Sequence, residues 1–361
     1  MLTLPRCGAV GRVLDLAEPP GNPFLPRASA HLRRRSPFLR YFATAHVRSR
    51  SSAHCSKMKR HNPTRVIGTK NPGHHVGDRC RHCSQRSRRG RLPPVSDDRV
   101  GVRTGANGVA TVTMARSDKH NALDQAMFEG LMNAAEQLAN DASVRAVVLH
   151  GEGKSFCSGL DIASFMSGGG GTGVLLARDD DRLANFAQRV TYDWSLVSAP
   201  VIAAIHGNCF GGGLQIALGA DIRIAAPDAK LCIMEIKWGL VPDMGITQTL
   251  PRLIPIDVAK ELTFTGRIVS GSEGFDLGLV TRTAEDPLSA ALALADEIAQ
   301  KSPDAVRAAK RLYDKSWMSN DIAAALMLET ELQAGLIGKP NHVAAVVAGM
   351  SGERPVFVDP A

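Results

Sequence analysis

No apolar run in this 361-residue chain reaches the ~18 residues that a membrane-spanning helix needs. Acidic residues are nearly missing from residues 1–96, which hold three against 20 Lys and Arg, a charge of +17. Residues 97–361 carry −9, so the net +8 joins a basic extension to a mildly acidic body. A nucleic-acid reading would rest on the extension alone, and none is adopted. The start lacks a continuous apolar core and carries Pro5, Arg6, Asp15 and Glu18, which argues against a secretory leader. Cysteine is scarce in the body, with only Cys157, Cys209 and Cys232. Three cysteines in an apolar-rich body read as reduced core residues of a cytoplasmic protein, not as a disulfide frame. Cys80-Arg-His-Cys83 is a lone CxxC beside His74, His75 and His82. A second CxxC is missing, so no metal site is expected.

The chain divides into three parts: a basic extension over 1–95, an α/β core over 96–285 and a helical region over 286–361. Rich in Arg, Pro, Ser and His, the extension shows no sustained period and is expected to be disordered. A mitochondrial transit segment would fit its arginines but not its prolines. Translated upstream sequence is favoured, because composition changes abruptly at Val95-Ser-Asp-Asp-Arg-Val100 and valine is how an internal GTG start codon reads. The compartment expected is therefore cytoplasmic rather than mitochondrial.

Periodicity organises the body. Val109-Ala-Thr-Val-Thr-Met-Ala115 alternates as a strand, and Asp118 to Ala122 reads as a turn. Asp124 to Leu138 has helical spacing with Asp124 as a cap. Arg145–His150 and Val201–Ile205 are apolar strands of the kind buried on both faces. Ser164 to Gly173 reads as a mobile glycine-rich loop, Arg182 to Val197 as a helix, and Ile222–Ala225 and Leu231–Met234 as strands. After Asp243 the spacing predicts helices almost throughout, including Pro287–Ala299, Asp304–Ser316 and Asp321–Gly335. Strands alternating with helices, then helices alone, indicate an α/β core with a helical end.

His206-Gly-Asn-Cys-Phe-Gly-Gly-Gly-Leu-Gln215 runs from the Val201–Ile205 strand through three consecutive glycines toward a helix. Unpaired N–H groups and the helix dipole make such a junction a place for negative charge. No Gly-Lys-Ser/Thr follows, as a nucleotide P-loop requires. Gly-Gly-Gly-Leu-Gln-Ile also departs from the dinucleotide-binding G-x-G-x-x-G. An oxyanion site and plain close packing remain. Met234-Glu-Ile-Lys-Trp-Gly-Leu-Val-Pro-Asp243 places two carboxylates eight residues apart.

Taken together, His120-Asn-Ala-Leu123, Lys154-Ser-Phe-Cys-Ser-Gly-Leu-Asp-Ile162, Ala203-Ala-Ile-His-Gly207 with Gly211-Gly-Gly213, Ala220-Asp-Ile-Arg-Ile-Ala225, and Glu235 through Gly266 resemble the crotonase superfamily of enoyl-CoA hydratases and isomerases. The resemblance implies a crotonase (ClpP/crotonase-like) α/β fold, a spiral core of repeated β-β-α units with a helical C-terminal trimerisation region. It implies an acyl-CoA thioester substrate, a homotrimer or homohexamer, no metal and no cofactor beyond the substrate's own coenzyme A. By motif position the oxyanion donors are the N–H groups of Leu160 and Gly212. His120, Asn121, Ala122, Ser158, Gly159, Leu160, Asp161, Ile162 and Gly211 resemble the segments that hold coenzyme A. Lys310 and Arg354 are further candidates for its phosphates.

The hydratases of this family carry two glutamates around a water, and those positions fall here on Gln215 and Glu235. An amide holds a water but cannot take its proton. Glu235 alone suffices for a proton shuttle, as in the family's enoyl-CoA isomerases. Asp243 matches an acid of the dienoyl-CoA isomerases, which have Asp where this chain has Gln215. Isomerisation is favoured, with hydration next and a non-catalytic acyl-CoA binder behind. Each residue also has a plainer reading: Asp243 as cap of the helix at Ile246, Gln215 as a packing residue, and Glu235 as a surface acid. His206 reads as a hydrogen-bonder at a strand end, Cys209 as core, and Trp194 and Trp238 as core or pocket wall.

Overall fold

A computed structural model describes residues 99–167 and 173–360. The basic extension with its CxxC, and residues 168–172 of the glycine-rich loop, lie outside the described residues. The first strands, β1 (Val100–Thr104) and β2 (Val109–Met114), pair antiparallel. Helix α1 (Gln125–Ala139) starts where Asp124 accepts a hydrogen bond from the Met127 N–H at 2.9 Å, the capping its sequence predicted. Strand β3 (Ala146–Gly151) follows. The segment expected to be all loop instead opens with helix α2 (Ile162–Ser167), and α3 (Gly173–Leu176) lies on its far side.

The helix expected from Arg182 begins later, as α4 (Phe186–Tyr192), and passes into a 3-10 turn over Asp193–Leu196. The cause is a capping box: Asn185 accepts from the Gln188 N–H, and the Gln188 side chain accepts from the Asn185 N–H. Then come β4 (Val201–Ile205), β5 (Asn208–Phe210), α5 (Gly212–Leu218), β6 (Ile222–Ala225) and β7 (Lys230–Cys232). A 3-10 turn covers Glu235–Trp238, and α6 (Ile246–Thr249) and α7 (Ile256–Thr265) lead to β8 (Val269–Ser270), α8 (Gly271–Leu277) and β9 (Arg282–Thr283). These two short strands interrupt the helices that the spacing predicts almost throughout beyond Asp243. The remainder is α9 (Pro287–Ala299), α10 (Pro303–Ser316), α11 (Ile322–Leu336) and α12 (Pro340–Ser351).

Two sheets result. The larger has the order β1-β2-β3-β4-β6-β9, parallel except for β1. The smaller has the order β5-β7-β8. Successive units send one strand to each sheet: β4 then β5, β6 then β7. The segment after β3 joins the same scheme through a bridge between Cys157 and Cys209 on β5. All five residues of β4 are buried, as a central parallel strand requires. One face of the larger sheet packs against α1, α4 and α5, where Phe128 is fully buried and stacks on Phe186 at 5.5 Å. The other face is closed by α9 through Ala291 and Ala295. The turn from β5 into α5 therefore emerges beside the Cys157 segment, where the larger and smaller sheets meet.

Candidate active site

Each of the three glycines answers a different neighbour. Gly211 has φ +52°, a left-handed conformation that side chains disfavour. A Cβ on Gly212 would lie 2.8 Å from Met244 Sδ and 2.9 Å from Leu123 Cδ1. On Gly213 it would overlap the carbonyl oxygen of Cys157. The run exists because a helix start is pressed between the Cys157 segment and the Met244 side chain.

Pressing α5 there sets the Gly212 N–H beside a second segment. Leu123 donates to the Gly159 carbonyl at 2.8 Å, and the Asp161 N–H donates to the Leu123 carbonyl at 3.0 Å. This bridge fixes Leu160 from both sides. Gly159, with φ +89°, approaches so closely that a Cβ on it would lie 3.6 Å from the Gly212 nitrogen. Leu160 follows directly. Neither the Leu160 nor the Gly212 N–H donates to a carbonyl in the described turns and loops.

Glu235 stands next to this junction. The Cβ position of Gly211 lies 3.3 Å from Glu235 Oε1. That oxygen accepts a hydrogen bond from Gln215 Nε2 at 2.7 Å, and Gln215 Oε1 accepts from the Met244 N–H at 2.9 Å. A backbone N–H can only donate, so the orientation of the amide is fixed. Glu235 Oε2 is buried and has no partner among the described residues. Burial pushes the Glu235 carboxyl above its ordinary range and the charge of Asp243 pushes the same way, while the backbone N–H groups of Glu235 and Met234 and the Gln215 amide pull it down. A carboxyl tuned upward toward neutrality is suited to taking a proton and giving it back. Asp243 is exposed and does not cap the helix at Ile246: the cap position is Gly245, left-handed at φ +88°, with no side-chain hydrogen bond.

Residues 104–352 match the family model described as enoyl-CoA hydratase/isomerase. The chain belongs to this family. Its two interleaved sheets are the crotonase fold, and it is an enoyl-CoA hydratase/isomerase-family enzyme. Among its relatives is the mouse protein called enoyl-CoA hydratase domain-containing protein 2, mitochondrial. The two are 35% identical over 270 residues, covering 72% of this chain and 88% of the relative. The rat Delta(3,5)-Delta(2,4)-dienoyl-CoA isomerase, mitochondrial, is 35% identical over 237 residues, covering 61% of this chain and 71% of the relative. The crystal structure of enoyl-CoA hydratase from Bacillus anthracis superposes with a TM-score of 0.64 at 29% identity, covering 72% of this chain and 98% of that one.

The remaining sequence-nominated residues of this hydratase/isomerase-family chain fall into two groups. Ser158, Gly159, Leu160, Asp161 and Ile162 follow the bridge to β5, while His120, Asn121 and Ala122 lie across from them. The Ser158 N–H donates to the His120 carbonyl at 2.9 Å, which joins the two groups. His120 and Asn121 are both left-handed, with φ of 51° and 54°. Asn121 is fully buried and holds the turn, its amide donating to the carbonyls of Glu152, Ser155 and Phe156 and accepting from the Arg116 N–H.

Arg116 is a residue that the sequence reading passed over. Its guanidinium donates to the Ala122 carbonyl and to Asp161, and lies 3.5 Å from Asp124. Although burial opposes it, the Ser164 N–H and Arg116 hold the Asp161 carboxyl below its ordinary range. Its partners lie 6 and 45 residues away, so no local pattern marks it.

Lys310 is engaged elsewhere. Its ammonium donates to Asp221 at 2.7 Å and to the carbonyls of Trp194 and Ala199, and its side chain is nearly buried. It is a strut between α10 and the core, not a free phosphate contact. Arg354 is exposed near the end of the chain. His206 Nε2 bonds the Gly153 carbonyl, Cys209 and Trp194 are buried, and Trp238 is 62% exposed and so not core. A cavity of about 1400 Å³ between α10, α11 and the core includes Lys310 and Arg252 in its lining but none of Leu160, Gly212, Gln215 or Glu235. No described helix is long and apolar enough to cross a membrane, and no described cluster of three His, Cys, Asp or Glu side chains is placed to hold a metal ion.

Proposed function

We propose that this enzyme moves the double bond of an enoyl-CoA thioester, with Glu235 as the group that carries the proton. The observation that supports this most is that the Glu235 carboxylate is paired with an amide, Gln215, and not with a second acid. In the proposed reaction Glu235 takes a proton from C2 of a 3-enoyl-CoA. The electron pair enters a dienolate whose oxygen accepts from the Leu160 and Gly212 N–H groups. Glu235 returns the proton to C4, and the double bond comes to lie between C2 and C3. Fixed donors aimed at developing charge are often the largest single contribution, and losing one costs about 3 kcal/mol. The thioester acidifies C2 and the N–H pair takes the charge, so the chemistry calls for no metal or redox cofactor.

Coenzyme A would lie along 120–122 and 158–162, the two segments that Ser158 ties together. The proposed assembly is a homotrimer or homohexamer. It is supported by α11, an apolar helix with no buried residue, whose Ile322, Leu326 and Met327 are all more than half exposed. The proposed setting is cytoplasmic; the free cysteines of the body support a reducing compartment.

Hydration of a 2-enoyl-CoA is the second reading, favoured by the hydratase relatives. Incubating the full chain with 2-enoyl-, 3-enoyl- and 3,5-dienoyl-CoAs and identifying products separates the two. Rapid hydration of crotonyl-CoA with no double-bond shift in a 3-enoyl-CoA would overturn isomerisation.

A further inference from the structure

Gln215 does more than fill the place of an acid. Its carbonyl oxygen is held by the Met244 N–H at 2.9 Å, so its amide nitrogen is committed to Glu235 Oε1 at 2.7 Å. An oxygen that already accepts a strong hydrogen bond is the poorer place for a proton. Glu235 Oε2, buried and without a partner among the described residues, is the better one. Gln215 is itself 1% exposed, and the Met244 side chain that packs on Gly212 belongs to the residue whose N–H clamps the amide. The clamp, the amide and the oxyanion glycine therefore form one rigid piece.

We infer that Gln215 is a positioning residue that reserves Glu235 Oε2 as the single proton-carrying oxygen, and thereby selects double-bond transfer over addition of water. This deepens the reading of Glu235 given above and rests on it. With one oxygen active, the atom that receives the C2 proton is the atom that returns it at C4. The C2–H bond breaks, the proton resides on Oε2, and the C4–H bond forms from the same oxygen. Water addition needs a second group to orient and deprotonate water while the first protonates carbon, and the Gln215 amide can do neither proton transfer. Around Glu235 the other charged or titratable groups are Asp243 on the following loop, Lys237 on its own turn and the Cys232 thiol on β7. On α7, Glu261 is paired with Arg267, which also holds Glu273 on α8.

The test uses the full chain, 3-hexenoyl-CoA deuterated at C2, and crotonyl-CoA. Three variants are compared with wild type: Gln215→Glu, Gln215→Met and Glu235→Gln. Gln215→Glu keeps the acceptor for Met244 and so keeps the fold. Wild type should carry part of its deuterium to C4 and show one acid limb in kcat/KM. In Gln215→Met the donor to Glu235 is lost, and in Gln215→Glu a like charge faces it. Both changes raise the Glu235 pKa, so the acid limb should move to higher pH, by about one unit or more. In Gln215→Glu, deuterium transfer should fall and hydration relative to isomerisation should rise about tenfold or more. Complete loss of deuterium to water in wild type, or an acid limb unmoved in both Gln215 variants, overturns the inference. A Glu235→Gln variant that still isomerises overturns instead the reading of Glu235 on which it rests.

Discussion

Arg116 Nη1 donates to Asp161 Oδ2 across 2.8 Å and to the Ala122 carbonyl across 3.0 Å. Asp161 is the neighbour of Leu160, and Ala122 lies in the segment assigned to coenzyme A. One guanidinium thus ties together the two segments proposed to hold the substrate. Replacing Arg116 with Met leaves Asp161 and Asp124 without this partner. The pair is only partly buried, so the cost should fall below the ~3 kcal/mol of a fully buried pair broken from one side, and the melting temperature should drop measurably. Arg116→Lys keeps one donor and should recover part of the loss. If Arg116→Met melts with wild type and turns over normally, the guanidinium is a bystander.

Glu235→Gln should cut isomerisation by ~10²–10⁴-fold, the range supplied by general acid–base groups. The same variant should be more stable than wild type at pH 8. Burial raises the carboxyl in the folded chain. The folded state therefore holds more protons than the unfolded one between the unfolded value of about 4.3 and the higher folded value. Stability falls as pH rises through that window. Glutamine removes the loss, so the advantage should shrink as pH falls below about 4.3. Thermal denaturation at both pH values decides it; a variant less stable at pH 8 would contradict the burial argument.

Gly213→Ala forces a Cβ against the Cys157 carbonyl, a backbone atom with little freedom to move. Overpacking of this kind costs typically ~1–3 kcal/mol, and the shift would pass to Gly212. Activity should fall together with stability. Gly101→Ala, where nothing lies within 4 Å of the new Cβ, should change stability by no more than about 0.5 kcal/mol. Equal melting of the two variants would remove the close-packing account of the triple glycine.

Cys157 and Cys209 face each other across a parallel bridge and are both fully buried. Burial pushes the Cys157 thiol up to about 12 and the Cys209 thiol well above its ordinary value. Thiolate is the reactive form. Iodoacetamide at pH 8 should leave both unlabelled in the folded protein and label both after denaturation, as read by peptide mass spectrometry. Labelling of either in the native state would show that the junction of the sheets opens.

The sequence displayed α1 and α9 to within a residue or two, because each has an apolar face at helical spacing and an aspartate cap, Asp124 and Asp286. Strands β8 and β9 are two residues each, too short for alternation to register. Strand β5 is three residues, and its membership in a second sheet is visible only in its pairing with β7. The late start of α4 was legible in principle, since Asn185 and Gln188 spell a capping box. Glu235, Gln215 and the glycines stood out through their resemblance to a family. The Met244 N–H that orients Gln215 did not, because a backbone donor leaves no letter in a sequence. Arg116 was hidden for a related reason: its partners lie 6 and 45 residues away.

The two bridges that hold the proposed oxyanion segment, Leu123 to Leu160 and Cys157 to Cys209, join residues far apart in the chain. Glu235 and Met244 are later still. Parallel strands and distant pairings make folding slow, because loop closure precedes the contacts that reward it. A fragment that ends before Glu235 and Met244 lacks the proposed proton carrier and the clamp on Gln215, so it should not turn over substrate. Catalytic competence should be the last property to appear during refolding, after helical signal and tryptophan burial. Recovery of turnover then becomes a clock for closure between the two sheets.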